Sequence, residues 1–255
     1  MSNNDEKHLD GSGSSRRKFL KNSGIAVGGI AVGGVLGGLL GGNGEPAQQA
    51  STTPVAPVEN FNQALMFFTP EQLEIVDAAT ERIFPKNDKG PGAKELLVVY
   101  YIDHQLAGAW GTGATEYTSG PFFPGAPTQG YQGRLNRQQI FRIGLKGMQD
   151  YSQKTYQKNF ANLEVEEQDA VLTEFAEGNV KLGGITSSHF FGELRGATLE
   201  GAYSDPLYGG NAGMEGWKMK NFPGHQMSYM DIIEEEYTEI PPLALNSQHN
   251  SNHKH

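Results

Sequence analysis

The chain has no cysteine among its 255 residues. That absence removes disulfides, thiolate nucleophiles, Cys-ligated zinc, iron–sulfur clusters and covalent c-type haem attachment in one step, so packing has to hold the fold together. Basic charge is also scarce: 20 Lys and Arg stand against 29 Asp and Glu, a formal net charge of −9. Beyond residue 50 the imbalance is 15 against 25. Such a body is ill suited to nucleic acid or any other polyanion, because that binding rests on neutralising phosphates with Lys and Arg.

Long apolar runs are missing too. The apolar stretch Ile25 to Leu40 is sixteen residues with six glycines, whereas a spanning helix takes about 20 predominantly apolar residues. A permanent multi-helix membrane protein is excluded. There is no Walker loop and no G-x-G-x-x-G after a strand, since Gly111-Thr112-Gly113 stops short of that pattern. Ser187-Ser188-His189 lacks a G-x-S-x-G context, and adjacent helical residues point in different directions. A serine at a helix N-terminus is the simpler account. His104, His189 and His225, with Asp103, Glu193 or Asp205, are the material for a metal site, but no H-E-x-x-H spacing joins them.

What is present begins with Ser15-Arg16-Arg17-Lys18-Phe19-Leu20-Lys21, directly ahead of the uncharged run from Ser23 to Asn43. Charged-then-apolar order is that of an export signal, and the paired Arg16-Arg17 with Phe19 and Leu20 make it the twin-arginine kind, an address read by the twin-arginine translocase. That route carries cargo that has already folded. The expected location is the periplasm or the outer face of the cytoplasmic membrane. Whether the signal is cut between Ala47 and Ala56 or stays as a single anchor is left open by the residues. Residues 1–46 are assigned to the signal region and 47–62, rich in Gly, Pro, Gln, Ser and Thr, to a flexible linker.

Residues 63–240 form one expected helical domain. Thr69-Pro70-Glu71-Gln72 has a threonine N-cap, proline at N1 and glutamine to close a capping box. Leu73, Val76, Thr80 and Ile83 follow at helical spacing, widened by Ile75 and Ala79, until Phe84-Pro85 ends the run. Ala93 to about Gly108 reads as a largely buried helix, with a strand through Leu96 to Ile102 as the alternative. Further helices are expected over Arg134 to about Tyr156, Val165 to Glu177 with Gly178 as its stop, and Thr186 to about Tyr203. Five helices without a strand ladder predict an all-α fold.

Between the second and third helices, Gly111 to Gly133 carries six glycines and three prolines, so no regular element is expected there. Tyr117, Phe122, Phe123 and Tyr131 lie in it. They either staple the loop to its own helices or meet another protein. From Ser204 to Gln226 the Gly-, Pro- and Asn-rich chain, with one exposed-looking tryptophan, predicts an irregular strap over the helices. Asp231 to Glu236 is an acidic run that reads as a solvated face. Residues 241–255, with His249, His253 and His255, read as a disordered polar tail.

The stretch from Phe190 to Gly224, FFGELRGATLEGAYSDPLYGGNAGMEGWKMKNFPG, resembles the C-terminal core of the gluconate 2-dehydrogenase subunit 3 family. The matching positions are Phe191, Leu194, Arg195, Thr198, Glu200 and Gly201, then Ser204-Asp205-Pro206, Tyr208-Gly209-Gly210-Asn211, Trp217 and Pro223-Gly224. FTPEQLEIVDAATERIFP resembles the family's first helix, so the similarity runs from about Phe68 to Gly224. It implies a small, non-catalytic subunit with a twin-arginine signal. The partner implied is a flavoprotein of the glucose–methanol–choline type that holds FAD and oxidises a sugar or sugar acid. A multi-haem cytochrome c subunit joins some such complexes. The chain itself is then expected to carry no cofactor. The alternative is a self-sufficient exported metal-binding protein or envelope enzyme built on His104, His189 and His225.

Within the motif, Arg195 and Glu200 are five apart, roughly 140° around a helix, so each is expected to face the strap or a partner rather than the other. Asp205-Pro206 predicts a turn, and Gly209-Gly210-Asn211 permits positive φ. Trp217 suits either a partner anchor or a cap on its own bundle.

Overall fold

The computed structural model describes residues 63–123, 125–230 and 232–245. The signal region with Arg16, Arg17, Phe19 and Leu20, the linker to residue 62, and tail residues 246–255 lie outside the described residues.

Seven α-helices occur among the described residues: α1 (Pro70–Ile83), α2 (Val98–Ala107), α3 (Ala109–Thr112), α4 (Arg137–Tyr156), α5 (Val165–Ala176), α6 (Ser187–Tyr203) and α7 (Glu215–Lys218). Pairing between extended segments is confined to isolated bridges. The fold is all-α, and the five long helices are those the periodicity predicts.

Local signals account for most helix ends. Thr69 and Gln72 close the expected capping box on α1, and Asn136 with Gln139 does the same for α4. Thr186 caps α6 by accepting from the His189 amide. The second helix is shorter than expected. It starts at Val98 because Leu97 takes a left-handed conformation with φ 58, which a helix cannot pass through. Ala93 to Leu97 instead wrap as turns, the Ala93 amide bonding to Phe84 O and the Val98 amide to Ala93 O. The strand alternative for this stretch is overturned.

α6 lies at the centre, against α1, α2, α4 and α5. Its Phe190 is fully buried between Phe141 of α4 and Phe175 of α5, edge-on to both at 5.7 and 6.0 Å. Gly144 of α4 makes this possible, since a β-carbon there would overlap the Phe190 ring. α1 and α5 are tied at the surface by Arg82, which forks onto Asp169 with bonds of 2.7 and 2.9 Å.

The lead-in to α1 is clasped by a buried carboxylate. Asp103 of α2, inaccessible to solvent, accepts the backbone N–H groups of Met66, Phe67 and Phe68 at 2.6, 3.0 and 2.7 Å. The neighbouring His104 Nε2 lies 3.1 Å from Ala64 O. Asp103 is therefore a structural pin, with three of its roughly four acceptor positions taken by chain that precedes the first helix.

Two expectations about irregular segments are corrected. The aromatic loop is not wholly without regular structure, because Pro127–Gln129 form a 3-10 turn in which the Gln129 side chain accepts from the Ala126 amide. At the other end, Leu243, Ala244 and Leu245, assigned by sequence to the tail, belong to the domain. Leu243 bridges Gly224, Ala244 is buried, and the Leu245 amide donates to Asp205 Oδ2 at 2.9 Å.

Candidate functional site

The motif residues divide into those the fold consumes and those it leaves outside. Leu194, Thr198 and Gly201 are buried on α6, Thr198 returning its hydroxyl to Leu194 O at 2.7 Å, and Phe191 packs partly buried against the core. After α6 the chain turns at Ser204-Asp205-Pro206. Asp205 Oδ1 accepts from the Leu207 amide while Oδ2 holds Leu245, so one carboxylate fastens both the start and the end of the strap. Asn211 is fully buried at φ 47, its amide group donating to Ser204 O and accepting from the Gly216 N–H, each at 2.8 Å.

Positive φ occurs at Gly209 and Asn211, whereas Gly210 is required by space: a β-carbon there would overlap the Gly201 carbonyl oxygen of α6. Trp217 is buried, not exposed as its surroundings in sequence suggest. Its indole N–H donates to Tyr203 O at 2.7 Å, and its ring meets Phe222 edge-on at 5.3 Å. Pro223 O accepts from the Leu243 amide, and Gly224, at φ +68, lies over the Trp217 ring. Of the two roles open to Trp217, capping its own bundle is the one observed.

Arg195, Glu200 and Tyr208 remain exposed. Arg195 has no hydrogen-bond or ion-pair partner among the described residues. Glu200 reaches neither Arg195 nor the strap; its Oε2 accepts from the Tyr101 hydroxyl of α2 at 3.4 Å. Burial first, and the Glu200 carboxylate second, push the Tyr101 phenol up to about 12 from 10.0. The folded state thus holds this proton more tightly than the unfolded chain. Its contribution to stability is complete below pH 10 and lost as pH rises through about 12. Glu200→Gln is expected to lower this phenol's titration midpoint, leaving it above the ordinary tyrosine value because burial persists. Ultraviolet absorbance against pH checks this, and an unchanged tyrosine titration would contradict it.

The second exposed feature is the aromatic loop. Of its four aromatics only Tyr131 acts as a staple, stacking on His189 at 4.5 Å while its hydroxyl accepts from the Leu135 amide. Tyr117 is 96% exposed, Phe123 71% and Phe122 43%. Beneath lies a cavity of about 890 Å³ lined by Phe122, Tyr131, Arg137, His189, Glu193 and Glu116 among others.

Arg137, the first residue of α4, organises its floor. It donates to Glu193 of α6 at 3.1 Å and to Glu116 of the loop, and its guanidinium lies 4.8 Å over the Trp110 ring. Burial alone would lower the Arg137 pKa; the hydrogen bonds and charges of Glu116 and Glu193 outweigh it and hold the group above its usual value. Arg137→Met is expected to cost about 1–2 kcal/mol, as two carboxylates lose a shared and partly buried cation. Protease sensitivity should rise first within residues 113–133, as followed by limited proteolysis alongside chemical denaturation. No spacing in sequence announces this cluster, whose three charges come from positions 116, 137 and 193.

The three histidines are not brought together. His104 faces Ala64, His189 lies under Tyr131, and the His225 amide donates to Leu243 O. Among the described residues no group of three His, Asp or Glu is placed to hold a metal. Ser187 Oγ is buried without a hydrogen-bond partner and Ser188 Oγ donates to Thr186, so neither serine has a base beside it. No described helix is long and apolar enough to cross a membrane.

A family model described as Gluconate 2-dehydrogenase subunit 3 matches residues 70–224. No curated protein and no solved structure matches the chain. The matched span runs from the first residue of α1 to the glycine that closes over Trp217, covering all seven helices of the described residues, and on that span the chain belongs to the gluconate 2-dehydrogenase subunit 3 family.

Proposed function

We propose that this chain is the non-catalytic small subunit of an exported FAD-dependent dehydrogenase of the glucose–methanol–choline type, acting on a sugar or sugar acid. It binds the catalytic flavoprotein in the cytoplasm, and its twin-arginine segment carries the pair to the periplasm or the outer face of the cytoplasmic membrane. FAD belongs to the partner, and a multi-haem cytochrome c subunit passes electrons onward in complexes that have one.

The observation that carries this reading is the uncovered aromatic loop, with Tyr117, Phe122 and Phe123 presented to solvent above a floor held by Arg137. Aromatic side chains are what interface cores favour. Membership of a dehydrogenase-subunit family supports a dehydrogenase as the partner, and the Arg16-Arg17 pair ahead of an apolar run supports the export route.

The test is to produce the flavoprotein with and without this chain. Stable, FAD-loaded and exported enzyme is expected only in the paired case, and Arg16→Lys with Arg17→Lys should leave both chains in the cytoplasm. Equal stability, activity and export with and without the chain would overturn the proposal.

A further inference from the structure

The family match ends at Gly224, yet the domain continues. At that glycine the chain leaves on an excursion and is fastened again at Leu243: Gly224 and Leu243 form a parallel bridge, the His225 amide donates to Leu243 O at 2.7 Å, and the Leu243 amide donates to Pro223 O at 3.1 Å. Ala244 is then buried and Leu245 held by Asp205. The ends of residues 225–242 are thus joined at their base, over the buried Trp217.

Between those fixed ends the loop shows little to its own domain. Among the described residues its hydrogen bonds are short-range, such as the Ile232 amide to Tyr229 O and the Glu235 amide to Ile232 O, apart from one weak contact of Asn221 with Glu239 at 3.4 Å. Met227, Met230, Ile233 and Tyr237 are all more than two-thirds exposed. A groove of about 570 Å³ runs between Phe222, Tyr229, Ile232, Tyr237 and Ile240. Exposed apolar side chains in such density mark a contact surface, and methionine adapts well to a partner's contour.

Charge selects the occupant. Residues 226–240 hold Asp231, Glu234, Glu235, Glu236 and Glu239 and no Lys or Arg. Among the described residues Glu234, Glu235 and Glu236 have no ion-pair partner; Lys218, which lines the same groove as Glu235 and Glu236, is paired with Glu215 instead. Nucleic acid and anionic lipid are repelled by such a loop. A second copy of this chain would bring the same five carboxylates and an equally acidic body. What fits is a protein face with apolar pockets rimmed by Lys and Arg.

We infer that the loop 225–242 is a docking element, and that it seats on a basic-rimmed apolar face of the catalytic flavoprotein. The assignment rests on the chain being the small subunit of that enzyme. It divides the contact in two: an aromatic loop inside the family-matched span, and an acidic apolar loop beyond it.

The experiment measures binding of the full chain to the purified flavoprotein, at low and at physiological salt, by calorimetry. Two variants are compared with the unaltered chain: Glu234→Lys, Glu235→Lys, Glu236→Lys together, and Met230→Ser with Ile233→Ser. The charge-reversed chain is expected to bind about 10-fold or more weakly at low salt and to lose most of the salt dependence. The apolar variant is expected to lose about 10-fold or more at both salt concentrations while keeping the salt dependence. Unchanged melting temperatures establish that both variants are folded, as the pinned base predicts.

If the unaltered chain binds and both variants bind equally well, the docking assignment is overturned while the subunit function stands. If the unaltered chain does not bind the flavoprotein at all, the function itself is overturned and the assignment with it. Sedimentation of the chain alone supplies the last outcome: a dimer that both variants abolish makes a second copy the occupant and overturns the inference.

Discussion

Asp103→Ala is expected to destabilise the domain by about 3–5 kcal/mol, among the largest effects of any single replacement outside the aromatic core. The carboxylate accepts three backbone N–H groups in a site closed to water. Hydrogen bonds to a charged group contribute about 1.5–3 kcal/mol each, and their removal leaves buried donors without partners. These contributions do not add fully, which sets the lower end of the range. For a domain of this size the loss corresponds to a fall in melting temperature on the order of 10 °C.

Asp103→Asn should recover little, because the amide turns an N–H2 group toward donors where an oxygen is required. Met66→Ala keeps its backbone N–H and is expected to change stability by less than about 1 kcal/mol. Chemical denaturation of the three variants checks the ranking, and an Asp103→Ala protein within about 1 kcal/mol of the unaltered chain would contradict it.

The second large effect is expected at Gly210. Gly210→Ala places a β-carbon into the Gly201 carbonyl oxygen, with Tyr101 Cβ at 3.1 Å on the other side. Neither obstacle is the flexible end of a side chain. The Gly201 carbonyl belongs to α6, and Gly201 is itself hemmed in by Tyr101 and Val98. Relief therefore requires the strap to lift from the helix, disturbing the Asn211 bonds and the seat of Trp217.

A cost of about 2–4 kcal/mol is expected, together with a red-shifted tryptophan emission as the Trp217 indole gains water. The same substitution at Gly192 or Gly196, in the interior of α6 with no neighbouring atom within 4 Å, is expected to stabilise by about 0.5–1 kcal/mol. Opposite signs at Gly210 and Gly196 distinguish close packing from helix propensity. Equal signs would remove the steric argument.

These two sites also mark where the sequence stops being readable. Local chemistry was legible: Thr69 with Gln72 announces the start of α1, and the burial of Val171, Leu172 and Phe175 follows from their spacing on α5. Gly178 after α5 is at φ +81, as a helix stop requires. Non-local chemistry was not. Nothing near Leu97 signals a left-handed residue, because its conformation depends on Ala93 bonding back to Phe84 and on the Ala212 amide donating to Leu96 O. Trp217 stands among glycines and lysines and looks exposed until Tyr203 O and Phe222 come to it from elsewhere in the chain.

The motif from Phe191 to Gly224 was legible as a motif but not as architecture. Its order of residue types records a strap folded onto α6, with Asp205, Gly210 and Asn211 each meeting a specific backbone group. The aromatic loop was legible as unusual. Its split into one staple, Tyr131, and three presented side chains was not, since the deciding partner, His189, lies 58 positions on.

The clasp at Asp103 has a mechanical consequence. Tension arriving through the chain ahead of Ala64 meets the bonds at residues 66–68 before it meets any helix. The load passes sideways into the middle of α2, between Ile102 and Leu106 in the core, and does not peel α1 from its first turn. Three bonds stretched together on one carboxylate resist as a unit, so the domain's yield point under pulling from that side is the detachment of this short lead-in. The strap, fastened at Asp205 and Leu243, lies outside the line of force.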